Sequence, residues 1–174
     1  MSVNLGPISP TQDGVVKAPS TFAYNPRCLK RDISTKSSST WLKTSDITNL
    51  IANSSSILAF QNTMQGDFPN GFLGVHAAGH FVMNGDPGGD LFASPGDPAF
   101  WLHHAMVDRT WWIWQLRNLP ASLSSIAGTL TIFNNPPSAN ATLADVQSLG
   151  PLAQSRVLGD LLNTMSGPFC YIYL

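Results

Sequence analysis

All four histidines of this 174-residue chain fall between residues 76 and 104, as His76-x-x-x-His80 and then His103-His104, and that clustering restricts the fold more than any other feature. On an α-helix, residues four apart stand one above the other, so His76 and His80 direct their imidazoles to one side. Adjacent residues point about 100° apart, so only one of His103 and His104 easily faces the same centre. Three imidazoles from two helices make a metal site with an open position, and neutral imidazole suits copper, zinc, iron or nickel. The chain must therefore pack a helix carrying His76 and His80 against a helix carrying the adjacent pair.

Helical phase separates the adjacent pair. His104 shares a face with Phe100, Asp108 and Trp111, whereas His103 shares one with Ala99, Val107 and Thr110. This favours His104 as the third ligand and leaves His103 beneath the site, hydrogen-bonded to a backbone carbonyl. Asp108 is placed either to orient an imidazole or to pair with Arg109, and spacing does not choose between them. Phe100, one turn before His104, is placed to line a substrate cleft. The plainer reading of "WWIW" is an aromatic core stripe through Trp111, Trp112 and Trp114. Asp86, Asp90 and Asp97 stand among glycines and prolines, where turn and cap roles are expected rather than Ca²⁺ ligation.

Composition removes several function classes. With 43% hydrophobic residues in 18.7 kDa the chain has material for one core. Charged residues make up 11%, the net charge is -1 and the pI is about 6.4, which leaves no footprint for nucleic acid. All ten acidic residues are Asp, so no glutamate can serve as the general base of an HExxH hydrolase. No apolar run reaches the roughly 20 residues of a membrane span. "MSVNLGPISPTQDG" has neither the basic nor the apolar region of a secretion signal. The chain as written reads as soluble and cytoplasmic, and as secreted if an N-terminal part is missing. Cys28 and Cys170 either pair, joining the two ends, or remain free thiols. Asn53 and Asn140 open glycosylation sequons, which matter only on a secretory route.

The pattern along the chain is mainly α with long irregular segments. Residues 1–44, rich in Pro, Ser, Thr and Lys, form an irregular N-terminal segment. Residues 45–120 hold the helices. The first starts near Thr44 or Ser45, with a serine run at 54–56 placed to break it in two. The next runs from Phe72 to about Met83 and is stopped by "NGDPGGD". The last begins with Asp97 as N-cap and Pro98 at the first helical position, and runs to about Leu116. In residues 121–174, "GTLTIFNN" reads as a strand, and "TLADVQSLG" and "LAQSRVLGDLLNTM" as short helices.

"HAAGH" followed by "GDPAFWLHHAMVDRTWWIWQ" resembles the second copper-binding half of the tyrosinase, catechol oxidase and haemocyanin group, the type-3 copper proteins. Tyrosinase-like polyphenol oxidases of fungi are the nearest in pattern, over about Gly71 to Gln115. The resemblance implies a partial four-helix-bundle copper domain in which His76, His80 and His104 ligate one copper. It places His103 just outside the ligand shell, with Asp108 as an orienting residue. A complete family centre has two coppers and uses dioxygen to hydroxylate monophenols or oxidise o-diphenols to o-quinones, a monooxygenase or catechol oxidase chemistry.

The departures from the pattern bear on activity. The family's first half needs three more histidines, and this chain has none left. Ala77 stands where many members have Asn. The family glutamate near the site is absent, with Asp67 the candidate substitute. Truncation of a longer enzyme is the favoured explanation, beside a chain that supplies half a site to a complementary partner or a homo-oligomer and a diverged, inactive relative. Three readings compete: a phenol-oxidising copper oxidoreductase, or part of one, acting on a phenolic small molecule with dioxygen; a non-catalytic protein or subunit holding one copper; and a mononuclear three-histidine zinc hydrolase.

Overall fold

The longest helix, α5 (Pro98–Arg117), starts where its cap chemistry places it: the Asp97 side chain accepts from the Ala99 N–H, and Pro98 occupies a first-turn position that needs no N–H donor. The computed structural model of the chain describes residues 2–4, 17–20 and 23–174. The stretch read for a secretion signal lies almost wholly outside them. Among the described residues no helix is long and apolar enough to cross a membrane.

Among the described residues four further α-helices precede α5: α1 (Thr35–Trp41), α2 (Thr44–Asn53), α3 (Ile57–Gln65) and α4 (Gly74–Met83). The serine run does break the second helical pattern. Ser54 leaves α2 in an extended conformation, and Ser56 caps α3 by accepting from the Ala59 N–H. Helix α1 corrects the reading of residues 1–44 as irregular. Ser34 caps it by accepting from the Ser37 N–H, a signal hidden in a polar run without apolar periodicity.

Contacts run from α2 to α3, α3 to α4, α4 to α5 and α5 back to α2, so these four helices close into a mainly α bundle. Leu50, Phe60, Met64 and Trp114 form its buried core, flanked by Ile51, Ile57, Val75, Val107 and Trp111. The Phe60 and Trp114 rings lie 5.1 Å apart, and the Trp114 Nε1–H donates to the Ser54 carbonyl at the α2–α3 break. Burying a ring such as Phe60 contributes about 1.5–3 kcal/mol. Val75, one residue before His76, faces this core rather than the histidines.

The segment before α1 secures the end of α4. The N–H groups of Asp32 and Ser34 donate to the carbonyls of Met83 and Val82, satisfying acceptors that a helix terminus leaves open. Arg27 pairs with Asp86 at 2.7 Å, and Arg31 grips both carboxylate oxygens of Asp97 at 2.7 and 3.0 Å. Asp90 accepts from the N–H groups of Phe92 and Ala93. The three aspartates thus cap and brace the loop between α4 and α5, as their surroundings suggested. A short antiparallel pair, β1 (Ser2–Asn4) with β2 (Pro26–Cys28), precedes this segment.

Beyond α5 the structure departs from the sequence reading. "GTLTIFNN" is not a strand: Thr129 makes a single bridge to Asn140, and Ile132–Asn134 wind into one 3-10 turn. The segments read as short helices hold β3 (Val146–Gln147) paired antiparallel with β4 (Arg156–Val157), followed by a 3-10 turn over Leu158–Leu161. Closely spaced glycines and prolines keep any helix from nucleating there. Cys28 and Cys170 are exposed free thiols.

Candidate metal centre

Helix α4 carries His76 and His80 one turn apart, and α5 carries His103 and His104 against it. Small residues permit the approach, since Ala77, Ala78 and Gly79 are all buried on α4. At Gly79 a methyl group would sit 2.1–2.5 Å from three atoms of the His103 ring, so only glycine allows that imidazole its place. Gly74 starts α4 at φ 63°, a left-handed conformation that suits glycine, and a side chain there would meet the Met64 carbonyl.

The four imidazoles gather into one cluster. The ring of His80 lies 5.1 Å from His76, 5.2 Å from His103 and 5.0 Å from His104. Nitrogens of His76, His80 and His103 all fall within 4.8 Å of one another. His103 donates from Nε2 to the His76 carbonyl at 2.8 Å, its ring stacked parallel to His76. The carbonyl partner that helical phase suggested for His103 is therefore present. His104 lies on the opposite side of the adjacent-residue fork, with Nε2 only 3.1 Å from Nε2 of His76.

Hydrogen bonds at the far nitrogens fix the tautomers. His104 Nδ1 lies 2.8 Å from the Phe100 carbonyl, an obligate acceptor, so Nδ1 carries the proton. His76 Nδ1 donates in the same way to Gln65 Oε1 at 2.7 Å, from the end of α3. A neutral imidazole whose Nδ1–H is engaged presents a lone pair at Nε2. Two such lone pairs facing each other at 3.1 Å repel, and a cation between or beside them removes the conflict. Burial pushes the His76 pKa down to about 3 and that of His80 to about 4, reinforced by the neighbouring imidazoles. Burial lowers His103 as well. His76 and His80 are consequently neutral near pH 7, the form a metal requires.

The surroundings form an open cleft of about 1060 Å³ lined by His76, His80 and His104 together with Ala77, Phe81 and Phe100. Phe100 stacks on His104 with ring centroids 3.8 Å apart. Phe72 packs edge-on against Trp41, and Phe81 is 44% exposed, so both present rings to the cleft or its rim. Asp67 also lines the cleft, its carboxylate accepting from Asn70 Nδ2 at 2.7 Å. Asp108 points elsewhere. Its carboxylate accepts from the Tyr171 hydroxyl at 2.9 Å and from that of Tyr173, while Arg109 donates to the Leu174 carbonyl. Neither the imidazole nor the Arg109 partner considered for Asp108 is the one it takes.

Gln65 was not legible as a site residue, because it sits eleven positions before His76 on another helix and polar residues at helix ends are common. The tyrosine pair at the chain end carried a weak signal in "YIY", which tertiary folding alone connects to α5.

Fold and site together define a helical bundle built around a cluster of histidines able to hold a metal. The common central domain of tyrosinase matches residues 1–117, and the chain belongs to the tyrosinase family. It is 36% identical over 174 residues to tyrosinase P of Aspergillus terreus, an alignment covering 98% of this chain and 48% of that protein. Identity is 33% over 183 residues to an N-acetyl-6-hydroxytryptophan oxidase of Emericella nidulans, covering 98% of this chain and 49% of the relative. The solved polyphenol oxidase of Thermothelomyces thermophila superposes with a TM-score of 0.90 at 36% identity, over all of this chain and 49% of that one. The chain thus spans about half the length of these relatives.

Proposed function

We propose that the chain is a single-copper unit of the tyrosinase type, with His76, His80 and His104 as the ligands, and that oxidation of phenols requires a second metal-binding half from outside these residues. The observation that carries this reading is the pair of facing Nε2 atoms of His76 and His104, 3.1 Å apart, with both Nδ1 atoms engaged by oxygen acceptors. His103, whose Nε2–H is held by the His76 carbonyl, buttresses the cluster from below. Bound copper supplies one-electron redox chemistry and, as a pair in a complete centre, the capacity to reduce dioxygen while a phenol is oxidised. Gln65 and the Phe100 carbonyl hold the tautomers, Phe100 covers one ring, and the aromatic cleft receives a neutral substrate. Among the described residues no Lys or Arg lines that cleft, which favours an uncharged phenol over an anionic one. The relatives named as tyrosinase, polyphenol oxidase and hydroxytryptophan oxidase agree with a hydroxylated aromatic substrate.

The half-site reading also accounts for an apolar face on α5, where Trp101 is 64% exposed, Leu102 75% and Met106 50%. The relatives have as much chain again, and a second half docking on this face would bury it. Copper titration of the purified chain tests the reading. One copper binds per chain, His80→Ala and His104→Ala abolish binding, and His103→Ala weakens it about tenfold to a hundredfold. Oxygen uptake with a catechol appears only when a complementary half is added. Two tightly bound coppers per chain with unaided oxygen uptake, or loss of binding in His103→Ala with retention in His104→Ala, overturn it.

A further inference from the structure

The cleft over the histidines is also lined by Ile132 and Phe133, from a loop 28 residues past the last histidine. This loop is closed at its base by the Thr129–Asn140 bridge and by the hydrogen bonds from Leu130 N to Ala139 O and from Ala141 N to Gly128 O. Side chains then stiffen its tip. Thr131 donates from Oγ1 to the Pro136 carbonyl and from N to Ser138 Oγ, and the Ser138 N–H donates to Asn134 Oδ1. At the tip, Phe133 adopts φ 55° and ψ 20°. Asn tolerates that left-handed conformation, as the adjacent Asn134 does at φ 53°, whereas a bulky side chain meets its own backbone. A turn that calls for Gly or Asn instead presents a phenylalanine that is 81% exposed, beside Ile132 at 62%. Packing among the described residues does not account for either residue.

We infer that Phe133, supported by Ile132, is the substrate-contact residue that selects an aromatic ring in this cleft. The inference rests on the reading of the cleft as a phenol site, and it adds a contact from outside the helical bundle. The loop backbone that carries the ring is braced by those hydrogen bonds, the ring lines the same cleft as His76, His80 and His104, and among the described residues no Lys or Arg lines that cleft. A face or edge contact with a phenol follows from those three conditions. An aliphatic ligand of equal size gains the apolar contact without the ring–ring increment.

Binding of nitrocatechol, kept in its neutral form below its first phenol pKa, and of cyclohexanediol to the 174-residue chain, metal-free and copper(II)-loaded under argon, tests this. Phe133→Gly weakens nitrocatechol by about threefold to tenfold more than it weakens cyclohexanediol, the range of one aromatic pair beyond shared apolar contact. Phe133→Tyr keeps the parent affinity. Because glycine relieves the left-handed conformation, Phe133→Gly melts at or above the parent temperature and binds copper equally well. Nitrocatechol affinity within twofold of the parent in Phe133→Gly, absence of saturable nitrocatechol binding, or equal loss of both ligands with a lowered melting temperature overturns the inference. Phe133-dependent ring binding in a chain that takes up no copper supports the inference and rejects the single-copper reading alone. Copper binding with ring binding indifferent to Phe133 rejects only the inference.

Discussion

Residues 44–117 and residues 118–174 are held together by different means. The first region buries Leu50, Phe60, Met64 and Trp114 in a common core and packs four helices around it. The second has two buried residues, Ser122 and Thr164, both polar. It is fastened to α5 by hydrogen bonds: Gln115 to the Leu162 carbonyl, Trp112 to Thr164, Asp108 from Tyr171 and Tyr173, and Ser122 to the Gln115 carbonyl. A metal cluster needs side chains fixed by packing from several directions, which only the first region provides. In the second region, the cleft-lining loop at Ile132 and Phe133 has a hydrogen-bonded backbone with its apolar side chains left uncovered.

Removing a core ring is the strongest way to break this contrast. Trp114→Ala removes the ring against Phe60 and orphans the Ser54 carbonyl, so a loss of about 3–5 kcal/mol is expected in urea unfolding. A loss below about 1 kcal/mol would mean that the bundle does not depend on that core. Next in size, Gly79→Ala forces the His103 ring out of its place and costs about 3 kcal/mol, with copper affinity falling in parallel. The control is Gly150→Ala in the second region, where a methyl meets no atom within 4 Å. There only the left-handed φ of 55° is penalised, at about 1 kcal/mol, and copper affinity stays as it was.

Asp108→Ala tests the fastening of the second region. Two tyrosine hydroxyls lose their acceptor, about 2 kcal/mol of local stability is lost, and the chain end becomes sensitive to limited proteolysis while the bundle stays intact. Simultaneous proteolysis of both regions would show that they unfold as one. The smallest effects are set by pH and act on the two regions from opposite sides. Arg31 holds the Asp97 pKa below its ordinary 3.8, so the unfolded chain binds the proton more readily. The stability from this pair is present above pH 3.8 and is lost as pH falls through the lowered value. Burial and the Asp108 carboxylate raise Tyr171 from 10.0 to about 12. Its contribution is full below pH 10 and is lost as pH rises through about 12. Acid should therefore loosen the start of α5, followed by amide exchange, and alkali the chain end, followed by tyrosinate absorbance. Alkaline loosening of α5 ahead of the chain end would contradict the assignment.

The elements readable in advance were those with a local cause. Asp97-Pro98 announced α5, the serine run announced the break before Ile57, and Gly and Pro after Met83 ended α4. Helix α1 escaped because its polar sequence has no periodic apolar face, and its place depends on segment 30–34 meeting the end of α4. The strands at Val146–Gln147 and Arg156–Val157 escaped because two-residue pairings are set by the partner rather than by propensity.

Spacing alone established that His76 and His80 share a helix face, that His103 and His104 diverge, and that the chain lacks histidines for a second cluster. Helical geometry is local, so those facts hold wherever the helices go. Tertiary structure decided the rest: that Nε2 of His104 meets His76 while His103 turns to a backbone carbonyl, that Gln65 sets one tautomer, that Asp108 joins the chain end, and that Phe133 reaches the histidine cleft. Each of these is a contact between residues far apart in the chain or on different elements. Such contacts exist only after the apolar faces have packed, and no local preference along the sequence encodes them.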